Sequence, residues 1–528
     1  MASQAWLAAD INGLTPAIDL RRSKELFALS GKNYYFDSLG PKSGFGNRLL
    51  SDFEIATPQY YQGARVSLRG GDRVFHFHAE AILEWDEMEG EHTIRYGTAD
   101  TTIDPQRWTF GYLNDYIYFC HPAIGLIRLN IYSNVCAPCD GPGVPQTPIA
   151  MCIDNGRVVV IDNEVLYWSK QSDGNDFTPT LAGAGFQKIG ERVSGDPITI
   201  HSYGKGTLTF TTGGIMRSEF TGDSEVYRHR NINTEYRPIN SFCSAQLDDD
   251  TVIILDERGL FQSRGESPQP MTPVFNEFLI RYLQKNDLKI GQNVRIEWDN
   301  LRRLLYVSTS TSFASAIYEK TFVLYPPLDK WGTFDEPHYG IVPICIPNGE
   351  RGDDYFGFLG EDNLLRFWIE TGSRQTAEGE LVALDAELRI GLIRLDGLSE
   401  SNDQLSEVLQ VMIGNIVSGP ADIVSEDFNL VPPDTSDEDY NSGTGQEDLG
   451  FERSNYVNHK IRLIGTVDGS TYFDSAEPQM TLFTPAARYY ACSCVGVWHI
   501  LELKADEVGE SFHVQAFELT ATYAGKLS

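Results

Sequence analysis

The chain has 528 residues, enough to bury more than one core, and two or three domains are expected for that length. Lys and Arg number 42 against 74 Asp and Glu, a formal net charge of −32, which leaves too few cations for phosphate-driven reading of DNA or RNA. A surface past which DNA slides without sticking is a different matter, because negative charge repels phosphates. No apolar run reaches the roughly eighteen residues of a transmembrane helix, and the opening MASQAWLAADINGLTP has neither a basic n-region nor a long apolar h-region, so no secretory signal is expected.

In chain order, residues 1–62 read as an N-terminal arm plus a small β-unit, punctuated by Gly31, Gly40-Pro41, Gly44 and Gly46. A strand-rich stretch follows from about Gly63, ARVSLRGGDRVFHFHAEAILEW. From about 105 to 370 a hairpin pattern recurs about every 45–50 residues, the mark of a propeller blade. An apolar run, a polar or Gly/Pro turn and a second apolar run occur at Ile117–Cys120 with Leu126–Leu129, and at Val158–Ile161 with Val165–Ser169. They recur at Thr207–Thr212 with Ile215–Ser218, and at Thr251–Leu255 with Leu260–Gln262. Leu304–Ser308 opens another unit with the hairpin Phe322–Tyr325 and Trp331–Phe334, and Tyr355–Leu359 with Leu364–Trp368 closes the series. Six blades follow from this count, or seven with the 63–100 stretch.

One segment breaks the pattern. TPVFNEFLIRYLQKN opens with Thr272 as N-cap and Pro273 at the first helical position, and Phe275, Phe278, Leu279 and Tyr282 share a face. An amphipathic helix over 273–284 is expected, covering a strand edge or meeting a neighbouring subunit. Beyond about 385 the strands AELRIGLIRL and SEVLQVMIGNI precede an acidic, Pro/Gly-containing stretch at 422–452, read as a long exposed loop or disordered excursion. Strands resume to the end, with period-two alternation at Phe512, Val514 and Ala516. The expected class is therefore all-β: a β-propeller over 63–385, one amphipathic helix, and a C-terminal antiparallel β-sandwich over 386–528.

Candidate chemistry is sparse. Cys136 and Cys139 form a lone C-x-x-C and Cys492 and Cys494 a C-x-C; a structural zinc would want four ligands, and a redox pair a βαβ setting, so loop and core cysteines are the better reading. His76 and His78 lie two apart on a strand and point to one face, but no third metal ligand is visible nearby. The acidic runs Asp248-Asp249-Asp250 and EWDEMEGE lack the spaced ligand order of a calcium loop and read as solvated turns. Arg351-Gly352-Asp353 is a tripeptide that recurs by chance and carries no weight. GAGFQKIG around Gly183 and Gly185 lacks the spacing of a dinucleotide loop, and no nucleophile elbow, H-E-x-x-H or P-loop is present. Tyr167–Phe177 has the Ser, Asp and Gly of an Asp-box before an aromatic, in one copy and at the wrong spacing. No catalytic, cofactor-binding or metal residue is assigned, and no enzyme activity is expected.

Asn155–Phe177 and Pro197–Asp223, the single helix near Pro273, the FVLYPPLDKWGTF hairpin (Phe322–Phe334) and the ending FHVQAFELTATYAGKL (Phe512–Leu527) resemble tail nozzle, or tail hub (tail tubular), proteins of short-tailed bacteriophages. The pattern is an apolar strand, a turn, an aromatic-Ser pair and a later Phe, here Val158–Ile161, Asp162-Asn163, Trp168-Ser169 and Phe177. The resemblance covers about 100–370 and the last strand; the acidic stretch at 422–452 has no counterpart in it. It implies a virion structural protein assembled in the host cytoplasm, a homo-hexamer below the portal and adaptor rings. It also implies docked tail fibres or spikes and a path for double-stranded DNA during ejection, without sequence-specific binding. The alternatives are another receptor-binding or baseplate protein of a virion, or a propeller hydrolase of glycans, whose paired carboxylates meet only in the fold.

Overall fold

The computed structural model describes residues 2–7, 12–14, 27–55, 61–68, 71–78, 81–86, 91–97, 106–180, 183–222, 225–286, 293–311, 316–345, 354–369, 373–393, 404–415, 456–457, 460–466, 472–473, 480–481, 484–485, 487–506 and 512–526. They form two compact units, each discontinuous in sequence: 50–321 with 336–367, and 1–49 with 322–335 and 368–528.

The first unit is a β-propeller, built on seven sheets that follow one another along the chain. Blade one, 62–97, is the seventh unit that the 63–100 stretch allowed for; blades two to five occupy 109–138, 148–188, 197–233 and 244–270. Blade six opens at Val294–Asp299, one strand earlier than Leu304, so the sequence reading missed its inner strand. Blade seven runs His338–Cys345, Asp354–Gly360 and Leu364–Ile369, and the next strand in its sheet is Gly46–Glu54, from before blade one. Within the unit this edge is tied by the Ile55 amide donating to Asn363 O at 3.1 Å. A strand from one end of the repeat thus completes the sheet at the other, which removes the open edges of the ring.

Local chemistry explains the hairpins. Asn155 and Gly156 adopt φ of 46° and 71°, the two left-handed positions of a two-residue turn between Pro148–Asp154 and Arg157–Asp162. Asp256 and Asp299, both buried, accept from the turn amides of Arg258 at 2.9 Å and of Leu301 and Arg302 at 3.0 Å. Their carboxylates occupy turn donors that burial would otherwise leave unpaired.

The propeller core lies between blades, not within them. Ile117 and Phe119 join Phe75, Phe77 and Trp108 toward blade one, whereas Tyr118 and Cys120 of the same strand join Met151, Val158 and Val160 toward blade three. Central strands such as Arg157–Asp162, Gly206–Thr211 and Val252–Asp256 are buried on both faces, so their pattern is a continuous apolar run. The inner strands approach closely: a Cβ on Gly111 would lie 2.4 Å from Ile153, and one on Gly63 2.7 Å from Val342.

The helix spans Pro273–Lys285 and buries Phe275, Asn276, Leu279 and Leu283; Leu283 takes the place expected for Tyr282. Thr272 is not a side-chain cap: its φ is 50°, its hydroxyl makes no cap bond, and its carbonyl accepts from the Asn276 amide. Asn276 is the anchoring residue. Its Oδ1 accepts from Leu260 N at 2.7 Å, while its Nδ2 donates to Leu260 O at 3.0 Å and Met271 O at 2.7 Å. The outer strand of blade five, Gln269–Pro270, has only two residues, and this amide continues the pairing of the strand beside it. The helix therefore covers a strand edge, one of the two roles expected for it.

The second unit is a two-sheet sandwich. One sheet contains Ala2–Leu7, Val514–Lys526, Gln404–Asn415 and Ala487–Gly496 in that order; the other contains Asn12–Leu14, Phe27–Lys32, Ala386–Ile393, Trp498–Ala505 and Lys460–Thr466, with short strands beyond. Ala28, Leu388, Ile390, Leu501 and Leu503 of one sheet share a core with Cys494, Phe517, Leu519 and Ala521 of the other. The first residues are thus strands of the C-terminal sandwich: Ala2–Leu7 pairs with the last strand and Phe27–Lys32 with Ala386–Ile393. In the same unit Tyr34–Phe36 pairs with Lys330–Phe334 and with Pro41–Ser43. The acidic stretch 422–452 lies outside the described residues.

Candidate functional site: the polar axis of the propeller

Beside the inner strands a group of charged side chains ties several blades together. Arg107, which leads into blade two, donates from Nη1 to Ser244 O of blade five at 2.7 Å and from Nη2 to Glu297 of blade six at 2.6 Å. Its amide also donates to Ser241 Oγ at 2.9 Å. Arg295, 1% exposed, pairs with Glu297 at 2.8 Å and donates to Tyr61 O at the entry to blade one. A residue beside blade two is therefore tied to blades five and six, and blade six to blade one. Gly340 of blade seven leaves room for this: a Cβ there would meet Tyr61 O at 2.2 Å and the Arg295 guanidinium at 2.8 Å.

Two guanidiniums thus share one carboxylate, and Arg107 Nη1 and Arg295 Nη1 also donate to backbone carbonyls. Their charge also acts on the nearby imidazoles. Burial, reinforced by Arg107, pushes His201 down to about 3; burial, reinforced by Arg295, does the same to His338. Both rings stay neutral and bond hydroxyls: His201 Nε2 to Ser244 Oγ at 2.9 Å and His338 Nε2 to Thr321 Oγ1 at 2.8 Å. A third pair, His229 Nδ1 with Ser218 Oγ at 2.9 Å, joins adjacent strands of blade four. A hydroxyl beside an imidazole is the opening geometry of a nucleophile. Here Ser244, Ser218 and Thr321 are fully buried, and rings with such depressed pKa are weak bases, so the pairs serve as cross-strand bonds.

The residues singled out by sequence fall elsewhere. Cys136 packs toward the core of blades one and two and Cys139 toward that of blades two and three, on opposite faces of the sheet. Burial pushes both thiols up to about 12, which keeps them protonated and unreactive. Cys494 is buried in the sandwich, 3.8 Å from His499 Nδ1; nothing is described of the Cys492 side chain. His76 is fully buried and its Nδ1 lies 2.8 Å from His92 Nε2. Among the described residues, no group of three or more His, Cys, Asp and Glu is arranged to hold a metal ion.

Asp248-Asp249-Asp250 is an exposed turn closed by the Asp250 amide on Asp248 Oδ1 at 2.9 Å. Of EWDEMEGE, Glu84 accepts from both Arg73 and Arg95, and 87–90 lie outside the described residues, as does Arg351-Gly352-Asp353. Gly185 opens a strand against Trp168 and starts no helix. The Tyr167–Phe177 segment is a clamp: Ser169 Oγ accepts from Val158 N at 3.0 Å, Lys170 pairs with Asp176, and Phe177 N donates to Pro142 O at 2.9 Å. Arg107, Arg295 and Glu297 were not singled out by sequence. The available signal was VRIEWD, in which Arg295, Glu297 and Asp299 share one strand face opposite Val294, Ile296 and Trp298.

No family model matches the chain, and no curated protein does. Among solved structures, the WD40 β-propeller domain of Doa1 is similar over 61% of this chain and 97% of its own, with 10% identity and a TM-score of 0.36. The propeller assignment rests on the strand order and ring closure described above.

Proposed function

We propose that the chain is a structural subunit of a short-tailed phage tail, forming the nozzle through which DNA leaves and docking fibres or spikes. The observation that favours a scaffold is the axial tie: Arg107 and Arg295 hold the inner strands of blades one, two, five and six together through backbone carbonyls and Glu297. Groups committed in this way stiffen the ring. In this reading the DNA path runs between copies of the chain and not through one propeller. A net charge of −32 suits the wall of such a path.

The test is negative-stain electron microscopy of the purified chain with and without a portal-adaptor ring. Six-fold rings with an open centre are the expected outcome. Monomers that never assemble beside the adaptor overturn the proposal, and binding of the isolated monomer to cell surfaces would then favour the receptor-binding alternative.

A further inference from the structure

The outer strands of the first five blades are not alike. Blades two, three and five end in strands of three, four and two residues, Cys136–Pro138, Gly185–Lys188 and Gln269–Pro270, and the helix covers the last of these. Such short edges offer little backbone for pairing. Blades one and four end in seven-residue strands, Glu91–Gly97 and Tyr227–Asn233. Each is the last strand of its sheet, so among the described residues neither pairs with a strand on its outer side. Blade four guards that edge with Arg228 and Arg230, both exposed, and charge at an edge opposes strand addition.

Blade one lacks this guard. Arg95 is the extra residue of a bulge between Ile94 and Tyr96, and its guanidinium is drawn onto Glu84, which Arg73 holds as well. Thr93 and Ile94 are left exposed on the strand, Ile94 at 64%. The outer strand of blade two lies beside it, and the turn leading into that strand exposes Tyr132 at 77% and Val135 at 61%. This turn is fixed: Asn130 Oδ1 accepts from the Tyr132 and Ser133 amides at 3.0 and 2.9 Å, and Arg73 Nη2 donates to Asn134 Oδ1 at 3.0 Å.

Ile94, Tyr132 and Val135 expose on the order of 300 Å² of apolar side chain. A stable interface between folded proteins buries roughly 800 Å² per partner, and two copies at this edge would also have to overcome the repulsion of net charges of −32. An extended segment needs less area, because it adds main-chain hydrogen bonds along a strand about 23 Å long. The nearby guanidiniums are already committed to Glu84, so a charged segment would find no counter-charge beside Ile94.

We infer that the outer edge of blade one is a docking site for an extended, uncharged segment of another protein, rich in β-branched side chains, which adds to the four-stranded sheet as a fifth strand. Alternate side chains of that segment would pack against Ile94 and Val135, and its backbone would pair with Glu91–Gly97. This inference does not rest on the phage reading.

The probe is a Thr/Val-alternating peptide matched in length to the strand, N-methylated on alternate residues so that it has one pairing edge and does not stack on itself. Hydrogen exchange of the full chain is compared with and without an excess of this peptide. Residues 91–97 are expected to exchange about tenfold more slowly or less with the probe present, and 227–233 to stay within about twofold. Ile94→Lys places a charge at an exposed position outside the core and is expected to abolish the protection, whereas Ile94→Val retains it. Should Ile94→Lys not fold, the comparison of the two edges in the unaltered chain still decides. No protection at 91–97, equal protection of both edges, or protection that persists in folded Ile94→Lys overturns the inference. Protection of 91–97 that rises with protein concentration in the absence of the probe assigns the edge to a second copy and overturns it as well.

Discussion

The two units reach an all-β fold by opposite routes. In the propeller, strands that follow one another in sequence pair with one another, and a turn of a few residues sets each register, as at Asn155-Gly156. In the sandwich, partners come from the ends of the chain: Ala2 lies opposite Ala521, and Lys32 opposite Glu387. Closing such loops costs entropy before any contact rewards it. Blade seven takes a distant strand, Gly46–Glu54, into its sheet, whereas both sheets of the sandwich are assembled from distant strands. Local pairing makes a modular unit; non-local pairing makes a unit that depends on its whole core at once.

The largest effects should come from the two cores. Phe119→Ala between blades one and two and Leu501→Ala in the sandwich each remove a fully buried side chain and should cost about 3–5 kcal/mol, read by urea denaturation. If the comparison holds, exchange in Phe119→Ala rises mainly in blades one to three, whereas Leu501→Ala loosens both sheets of the sandwich. Next is Arg107→Ala, which takes one guanidinium from Glu297 and the donor from Ser244 O, at a cost of about 2–4 kcal/mol. A loss below about 0.5 kcal/mol, the range of a surface charge, would mean that the axis does not tie the ring.

Asn276→Leu removes three hydrogen bonds at the edge of blade five and should cost about 2–3 kcal/mol, with faster exchange at Leu260. Acid should separate the units further. His201 and His338 are depressed to about 3 and His229 to about 4 in the propeller, against His499 at about 4 in the sandwich. Each contributes stability that is complete above about pH 6.5 and is lost, at about 1.4 kcal/mol per pH unit, as pH falls toward its folded value. The propeller should therefore melt first between pH 6 and 4, about five degrees or more ahead of the sandwich. The smallest effect should be Lys32→Ala, which breaks an exposed ion pair with Asp385 and should change stability by less than about 1 kcal/mol.

The strand pairs of the propeller were legible because apolar runs bounded by turn residues carry their own register: the hairpins at Ile117, Val158, Thr207 and Thr251 all form where the pattern places them. Blade six was entered one strand late because VRIEWD carries three charges, and Arg107, the partner of Glu297, lies far away in sequence. Tyr282 and Leu283 both suit an amphipathic helix, and only the packed neighbours select Leu283. The aspartates of LDERG and WDNLR were a repeat in plain view, whose meaning emerges once their carboxylates are seen closing turns.

The sequence by itself determined the class of the fold, the hairpin repeat, the helix and its break from that repeat, because periodicity and turn chemistry act over a few residues. Tertiary structure alone decided that Gly46–Glu54 completes blade seven, that the first strands belong to the last sheets, that Cys136 and Cys139 face different cores, and that Arg107, Arg295 and Glu297 meet at the axis. Those choices depend on which distant surfaces are complementary, and many strands of one apolar pattern are interchangeable until they are packed.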